Sequence, residues 1–153
     1  NTRLRLLEVD PAAYEVVTSF FHPYLTYTPQ LPLDFQGTFS IRLDESQAYT
    51  HKSQHLRNVT LTGSNDANLT GNRHSNILMG NDGDNVLIGG EGNDRIDGSA
   101  GSDTVVFSGV YADYEVTTDN GFVTVRDLRL NRDGTDTLMS VETLQFSDRT
   151  IEP

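Results

Sequence analysis

The chain has 153 residues and carries 22 Asp and Glu residues against 11 Lys and Arg, which gives a formal net charge of −11. Nucleic acids and anionic membrane surfaces repel such an excess of negative charge, so we expect neither as a partner. The absence of cysteine excludes disulfides and thiolate metal sites. No run of about 18 apolar residues occurs, so the sequence predicts no membrane-spanning helix. A bound cation is the natural complement of this composition.

The first part of the chain, residues 1–60, is predicted to be a β segment. Residues 4–9 and 14–21 are rich in Leu, Val, Tyr and Phe, which favours two strands that can form a hairpin. Prolines at 23, 29 and 32 then exclude regular structure until about residue 35. Alternating apolar residues predict a third strand at 38–43, and the polar stretch 44–58 is predicted to be a connector with at most a short helical turn.

The middle part, residues 61–106, has a nine-residue repeat. Nine of the thirteen glycines lie there, with seven acidic residues and only two basic ones. Five units can be aligned, at 62–70, 71–79, 80–88, 89–97 and 98–106. The fourth unit matches the pattern G-G-x-G-x-D-x-U-x, where U is a large aliphatic residue, and this pattern is a signature of parallel β-coils. The eighth position of the five units is filled by Leu69, Leu78, Leu87, Ile96 and Val105.

The chemistry of the repeat indicates a metal site. Large aliphatic residues in short strands predict an apolar ladder between two thin sheets, and glycine allows the sharp turns between them. Such turns direct backbone carbonyls towards one point, while Asn or Asp at the sixth position adds side-chain oxygen. All-oxygen ligation favours calcium. Magnesium, which demands a tighter octahedron, ranks second, and zinc is disfavoured because His74 is the array's only His or Cys.

The middle part resembles the RTX, or hemolysin-type, calcium-binding repeat family. In that family each unit contributes a turn and a short strand, two units make one coil, and calcium lies between the turns of units n and n+2. The resemblance implies one column of sites at Asn76 and Asp94 and another at Asn85 and Asp103. Backbone carbonyls of the turns would complete the coordination shells, around Gly80, Asp82, Gly89, Gly90, Glu91 and Gly92.

The array departs from the family pattern in three ways. Asn replaces Asp at positions 76 and 85, Arg73-His74 replaces the expected x-Gly, and the first unit lacks the sixth-position acid. An Asn side chain can still ligate through its amide oxygen, but the lost charge weakens a calcium site. We therefore expect two or three calcium ions, with the turns of Asp94 and Asp103 binding best.

The last part, residues 107–153, is predicted to be a β cap. Residues 114–118 and 122–128 flank an Asn-Gly pair, which favours a tight hairpin turn. Residues 133–136 are predicted to form a turn, and residues 141–146 a final strand. Asp127, Asp133 and Asp136 can hold a further ion, although Asp in such a turn more often accepts hydrogen bonds from its own backbone.

This last part also resembles the segments that commonly follow RTX arrays, which implies a packing role. Repeat stacks need capped ends to bury their apolar ladder. The predicted core residues of this cap are Val106, Phe107, Tyr114, Val116, Val123, Val125, Leu144 and Phe146. The sequence as a whole thus predicts an all-β protein, with a short parallel β-roll flanked by β-hairpin or sandwich caps.

The leading functional hypothesis is a non-catalytic calcium-binding module at the C-terminal end of a secreted bacterial protein. Without an ion the acidic turns repel one another, so that binding and folding are coupled. The RTX resemblance implies export as an unfolded chain through a type I secretion apparatus, followed by folding outside the cell or at the bacterial surface. No catalytic constellation can be assembled, so this chain is predicted not to be an enzyme.

Two alternatives remain open. Residues 4–11, 16–18 and 34–39 resemble the closing strands of calcineurin-like metallophosphoesterases, which implies the tail of a secreted hydrolase with an upstream catalytic domain; none of that family's metal ligands is present. An adhesive or polysaccharide-binding module ranks lower, because the repeat strands offer only Arg73 and Arg95 as basic residues. His51 and His55 have a zinc-compatible spacing, but without a third ligand they are better interpreted as solvated connector residues.

Overall fold

The structure is a computed structural model that describes residues 5–10, 13–18, 38–43, 47–50 and 57–153. Within these ranges the chain is all-β, with one 3-10 turn at Tyr111–Asp113. No helix in the described ranges is long and apolar enough to cross a membrane. The strands are β1 (Arg5–Asp10), β2 (Ala13–Thr18), β3 (Thr38–Leu43), β4 (Gln47–Thr50), β5 (Asn58–Thr62), β6 (Ala67–Thr70), β7 (Ile77–Met79), β8 (Val86–Ile88), β9 (Arg95–Asp97), β10 (Thr104–Val106), β11 (Tyr114–Asp119), β12 (Phe122–Asp127), β13 (Thr135–Met139), β14 (Thr143–Gln145) and β15 (Thr150–Ile151).

The described strands form two sheets, which the chain visits alternately from β3 to β10. One sheet has the order β1-β2-β3-β5-β7-β9-β13-β12-β11, and the other has the order β15-β14-β10-β8-β6-β4. Strands β5, β7, β9 and β13 pair in parallel, as do β4, β6, β8, β10 and β14. Each repeat unit therefore adds a strand to alternate sheets, and two units make one coil. This confirms the predicted parallel β-roll.

The aliphatic residues of the repeat form two ladders inside the roll. In one sheet, strand pairing aligns Val59, Leu78, Ile96 and Leu138. In the other, it aligns Leu69, Leu87, Val105 and Leu144. All eight are at most 1% exposed. Full burial of each such side chain stabilises the fold by about 1.5–3 kcal/mol, so these two ladders are the main source of stability for the coil.

The roll has one more coil than the repeat predicts. Strand β13 pairs in parallel with β9, and β14 pairs in parallel with β10, so residues 135–145 resume the coil after an excursion at 107–134. We call this the terminal coil. The expectation of a simple turn at 133–136 is wrong from Thr135 onward, where β13 begins, because pairing with the exposed edge of β9 extends this polar segment.

The excursion contains the predicted hairpin. Strands β11 and β12 pair antiparallel around Asn120 and Gly121, whose φ angles are 50° and 82°, as a tight hairpin turn requires. Of the predicted core residues of the cap, six are buried, and Val116 is partly buried against them. Val106 is only half-buried, because its neighbour Val105 occupies the inward position.

Four aromatic rings cover the end of the core beside the terminal coil. Phe107 and Phe146 stack with centroids 5.2 Å apart, and Tyr111 meets Phe146 edge-on at 5.2 Å. Tyr114 lies 5.0 Å from Phe146 and also contacts Phe107. Offset and edge-on ring pairs each contribute about 0.5–1.5 kcal/mol beyond the area they bury. The cluster thus closes the ladder at this end.

The first part of the chain extends both sheets. Strands β1 and β2 form the predicted antiparallel hairpin, whereas β2, β3 and β5 pair in parallel. Residues 44–58 contain strand β4, so the expectation of a connector is wrong there; β4 pairs with β6, and this pairing overrides the polar composition. His51 and His55 lie outside the described residues. The division of the chain at residues 60 and 106 stays a prediction.

Candidate metal centre

The sixth-position residues stand in two columns, one on each side of the roll. Turns that enter the larger sheet, at 71–76 and 89–94, carry Asn76 and Asp94, and turns that enter the smaller sheet, at 80–85 and 98–103, carry Asn85 and Asp103. All four side chains are buried. The structure therefore brings together the two pairs that the sequence suggested, while their role as calcium ligands stays a prediction.

Hydrogen bonds connect each column from coil to coil. Asp94 Oδ1 accepts from the Asn76 backbone N–H at 2.7 Å, and Asp136 Oδ1 accepts from the Asp94 N–H at 2.8 Å. In the second column Asp103 Oδ1 accepts from the Asn85 N–H at 2.8 Å, and Glu142 Oε2 accepts from the Asp103 N–H at 2.7 Å. The terminal coil thus continues both columns with a carboxylate.

Asp136 and Glu142 were not among the predicted site residues of the repeat. The sequence does contain their signal, because Gly134-Thr135-Asp136-Thr137-Leu138 repeats the G-x-D-x-U half of the pattern. Glu142-Thr143-Leu144 repeats its acid-x-U ending. The excursion at 107–134 breaks the nine-residue phase, so that only the strand pairing places these residues in line with the repeat.

Three buried carboxylates have no cationic partner. Asp94, Asp103 and Asp136 are 3%, 1% and 2% exposed, and none forms an ion pair with a Lys or Arg of the described residues. Burial raises the pKa of Asp94 to about 7, that of Asp103 to about 6 and that of Asp136 to about 8. Neighbouring carboxylates contribute to these raised pKa values as a smaller cause than burial. These groups require either protons or a cation.

Two of these carboxylates have an oxygen without a partner. Asp94 Oδ2 and Asp103 Oδ2 are buried and accept no hydrogen bond. Asp94 Oδ2 lies where a side chain on Gly89 would be, and Asp103 Oδ2 and the Ser140 carbonyl oxygen lie together where a side chain on Gly98 would be. Glycine at the first position of each unit thus leaves space in which oxygen atoms converge.

The asparagine turns bring a carbonyl oxygen and a sixth-position side-chain oxygen together over Gly71 and Gly80 in the same way, but their hydrogen bonds and φ angles differ. Asn76 Oδ1 accepts from the Asn72 N–H, and Asn85 Oδ1 accepts from the Asn81 N–H, each at 2.9 Å. No residue from 71 to 88 has a positive φ. By contrast, the second and fourth positions of the aspartate turns are left-handed, with φ of 96° and 117° at Gly90 and Gly92, and of 76° and 114° at Ser99 and Gly101.

The donors present fit calcium. Among the described residues no three His, Cys, Asp or Glu side chains come together, so a site must be completed by backbone carbonyls. Calcium accepts six to eight oxygen ligands in flexible geometry, and carbonyls are common among them. Of the predicted carbonyl donors, Gly80 and Gly89 are buried at first positions, whereas the side chains of Asp82 and Glu91 are exposed. Ligation by these residues, and by Gly90 and Gly92, stays a prediction.

Comparisons with known proteins identify the array. Residues 70–105 match the family model of the RTX calcium-binding nonapeptide repeat in four copies. Comparison with curated proteins finds no significant match, so the resemblance of the first part to metallophosphoesterases has no support there. The four matched copies include both columns of sixth-position residues described above. Residues 70–105 of this chain are therefore an array of RTX calcium-binding nonapeptide repeats, folded as a parallel β-roll.

Proposed function

We propose that this chain is a non-catalytic module of a secreted bacterial protein and that it folds when it binds calcium. The observation that carries this proposal is the burial of Asp94, Asp103 and Asp136 without a cationic partner. Removing an ionised carboxylate from water costs several kcal/mol unless a counter-charge compensates it. A bound calcium ion supplies that charge for carboxylates on two adjacent coils at once.

Coupling between binding and folding follows from the construction of the site. The carboxylates of one column lie 42 residues apart in sequence in the first column and 39 in the second, and only the coiled chain brings them together. A preformed site does not exist in the unfolded chain, so the free energy of calcium binding becomes free energy of folding. This coupling suits export in the unfolded state through a type I secretion apparatus and folding in the calcium-rich exterior.

The test is far-ultraviolet circular dichroism of the purified chain, with chelator and then with millimolar calcium. We expect a large gain of β signal on adding calcium, reversed by chelator, and a smaller gain with magnesium at the same concentration. The double variant Asp94→Asn with Asp103→Asn should lose the response. Asp119→Asn, which changes an exposed residue of the hairpin, should keep it. Equal β signal with and without chelator would overturn the proposal.

For the parent protein, we propose that any hydrolase activity belongs to an upstream domain. The array matches a calcium-binding repeat, and its sixth-position carboxylates, Asp94 and Asp103, are buried. The chain alone should therefore not hydrolyse phosphodiesters in the presence of divalent metal. Turnover by the purified chain, abolished by Asp94→Asn, would overturn this assignment. The alternative of an adhesive or polysaccharide-binding module stays a prediction. A surface feature that bears on it is strand β7, which exposes Ile77 and Met79.

A further inference from the structure

We infer that calcium binds between the aspartate turns and the terminal coil, at one site with Asp94 and Asp136 and another with Asp103 and Glu142, whereas the asparagine turns at 71–76 and 80–85 hold no ion. This inference rests on the proposed calcium-binding function and specifies where the ions lie. It differs from the simplest interpretation of the repeat, in which every pair of stacked turns holds calcium.

In the asparagine turns, the side-chain oxygens accept hydrogen bonds from N–H groups of the same turn. Asn76 Oδ1 and Asn85 Oδ1, the atoms that would ligate an ion, accept the second-position N–H groups of their own turns. The second position of each turn is also an asparagine, Asn72 or Asn81, and its Oδ1 accepts a hydrogen bond from the fourth-position N–H at 3.0 Å. In the second of these turns Asn85 Nδ2 also donates to Asn81 Oδ1 at 2.9 Å. Hydrogen bonds thus replace an ion at the centre of these turns.

The aspartate turns lack these internal hydrogen bonds. Their second positions are Gly90 and Ser99, which have no side-chain amide. Ser99 donates its backbone N–H to Asp97 Oδ1 at 3.0 Å and not to the sixth-position carboxylate. Asp94 Oδ2 and Asp103 Oδ2 consequently remain buried without a partner. An unpaired buried carboxylate oxygen is costly, so these two turns require a cation or a proton, whereas the asparagine turns carry no such charge.

The terminal coil faces the aspartate turn in each proposed site. Ser140 follows β13 as Gly98 follows β9, and its carbonyl oxygen lies beside Asp103 Oδ2 in the space over Gly98. In the first column, residues 131–133 at the end of the excursion line a groove of about 390 Å³ with both turns, the asparagine turn at 71–73 and the aspartate turn at Gly90 and Glu91. The terminal coil thus places a backbone oxygen at the second-column site, and at the first-column site it places the Asp136 carboxylate.

The proposed sites also carry more negative charge than a site at an asparagine turn would. In each proposed site a carboxylate of the terminal coil accepts from the backbone of an aspartate turn, Asp136 at Asp94 and the exposed Glu142 at Asp103, so that two carboxylates would balance the two positive charges of calcium. A site between Asn76 and Asp94 would have only one carboxylate. Calcium affinity in proteins increases with the number of charged ligands. The terminal coil, which lies beyond the matched repeats, therefore determines the stronger sites.

The test is calorimetric calcium titration of the full chain and its variants. We expect two ions for the unmodified chain, and loss of one ion, or about a tenfold weaker affinity, for Asp136→Asn and for Glu142→Gln. Asn76→Ala and Asn85→Ala should still bind two ions. Loss of an ion in the asparagine variants, with Asp136→Asn and Glu142→Gln unaffected, would overturn the inference. A chain that binds no calcium would instead overturn the proposed function.

A variant that adds a calcium site tests the inference even if Asp136→Asn and Glu142→Gln do not fold. Asn81→Gly together with Asn85→Asp gives residues 80–88 the complete repeat pattern and removes the hydrogen bonds that close this turn. If the turn holds no ion in the natural chain, the count should rise from two to three. An unchanged count, with tighter binding of an ion already present, would show that the asparagine turn is occupied and would overturn the inference.

Discussion

Asp136 Oδ1 accepts a hydrogen bond from the backbone N–H of Asp94 at 2.8 Å, although 42 residues separate them in sequence. The contact repeats the one between Asp94 and Asn76, which are 18 residues apart. The larger separation results from the excursion at 107–134, after which the chain returns to the same column. The roll is therefore completed by a segment that is not contiguous with the repeats, and its stability must depend on that segment.

This dependence can be tested at the apolar ladder of the terminal coil. Leu138 is fully buried and pairs in register with Ile96, so Leu138→Ala should lower the free energy of unfolding by about 2–5 kcal/mol. Leu130→Ala is the matched control, because Leu130 is 92% exposed. Urea denaturation in saturating calcium measures both. Equal stability of the two variants would show that the terminal coil is not part of the cooperative core.

The space over Gly98 can be tested without changing any ligand. Gly98 has no positive φ, so Gly98→Ala acts through the collision of its Cβ with the Ser140 carbonyl and Asp103 Oδ2. We expect calcium affinity to fall about tenfold or more, which corresponds to about 1.4 kcal/mol. In the control Gly121→Ala, the new Cβ meets nothing within 4 Å, although its φ of 82° brings strain. That variant should lose stability by about 1–2 kcal/mol and keep its calcium affinity.

The hydroxyl of Tyr114 anchors the two ends of the excursion to each other. It accepts from the buried Gly109 N–H at 2.8 Å and donates to Asp133 Oδ2 at 2.5 Å. Tyr114→Phe keeps the ring in the aromatic cluster but leaves the Gly109 N–H unpaired, which should cost about 1–3 kcal/mol. Tyr111→Phe, in the same cluster, is the control and should cost less. Thermal unfolding in calcium measures the difference, and equal midpoints would contradict the anchoring role.

The buried carboxylates predict opposite effects of pH with and without calcium. Burial raises the folded-state pKa of Asp94, Asp103 and Asp136 to between about 6 and 8, above the ordinary value of 3.8. Protonation therefore favours the folded chain, and this stabilisation is fully present below about pH 4 and is lost as the pH rises through 6 to 8. In chelator, the β signal in far-ultraviolet circular dichroism should be larger at about pH 5 than at about pH 8.5, because protonation partly replaces calcium.

Calcium competes with those protons, so its affinity should increase over the same pH range. Titrations at both pH values in the presence of calcium measure this effect. A chelated chain that is more stable at the higher pH would contradict the assignment of raised pKa values. A calcium affinity that falls with rising pH would contradict the participation of these carboxylates in binding.

The nine-residue spacing was sufficient to predict the coil itself. A large aliphatic residue at each eighth position has to be buried, and glycine-rich turns leave few other ways to bury it. The ladder positions from Leu69 to Val105 were predicted correctly for this reason, as was the Asn120-Gly121 hairpin, whose turn geometry depends on two adjacent residues. Strand β4 could not be predicted, because it depends on pairing with β6, which its polar sequence does not indicate.

The sequence by itself determined the class of protein, the pattern of inward aliphatic residues and the oxygen-rich chemistry of the turns, since all three depend on residues within one repeat unit. Only the tertiary structure decided which oxygens are satisfied. Whether Asn85 Oδ1 accepts a hydrogen bond, or Asp103 Oδ2 lacks one, depends on turn conformation and on the coil stacked above. The terminal coil likewise depends on strand pairing across the excursion, which no local spacing encodes.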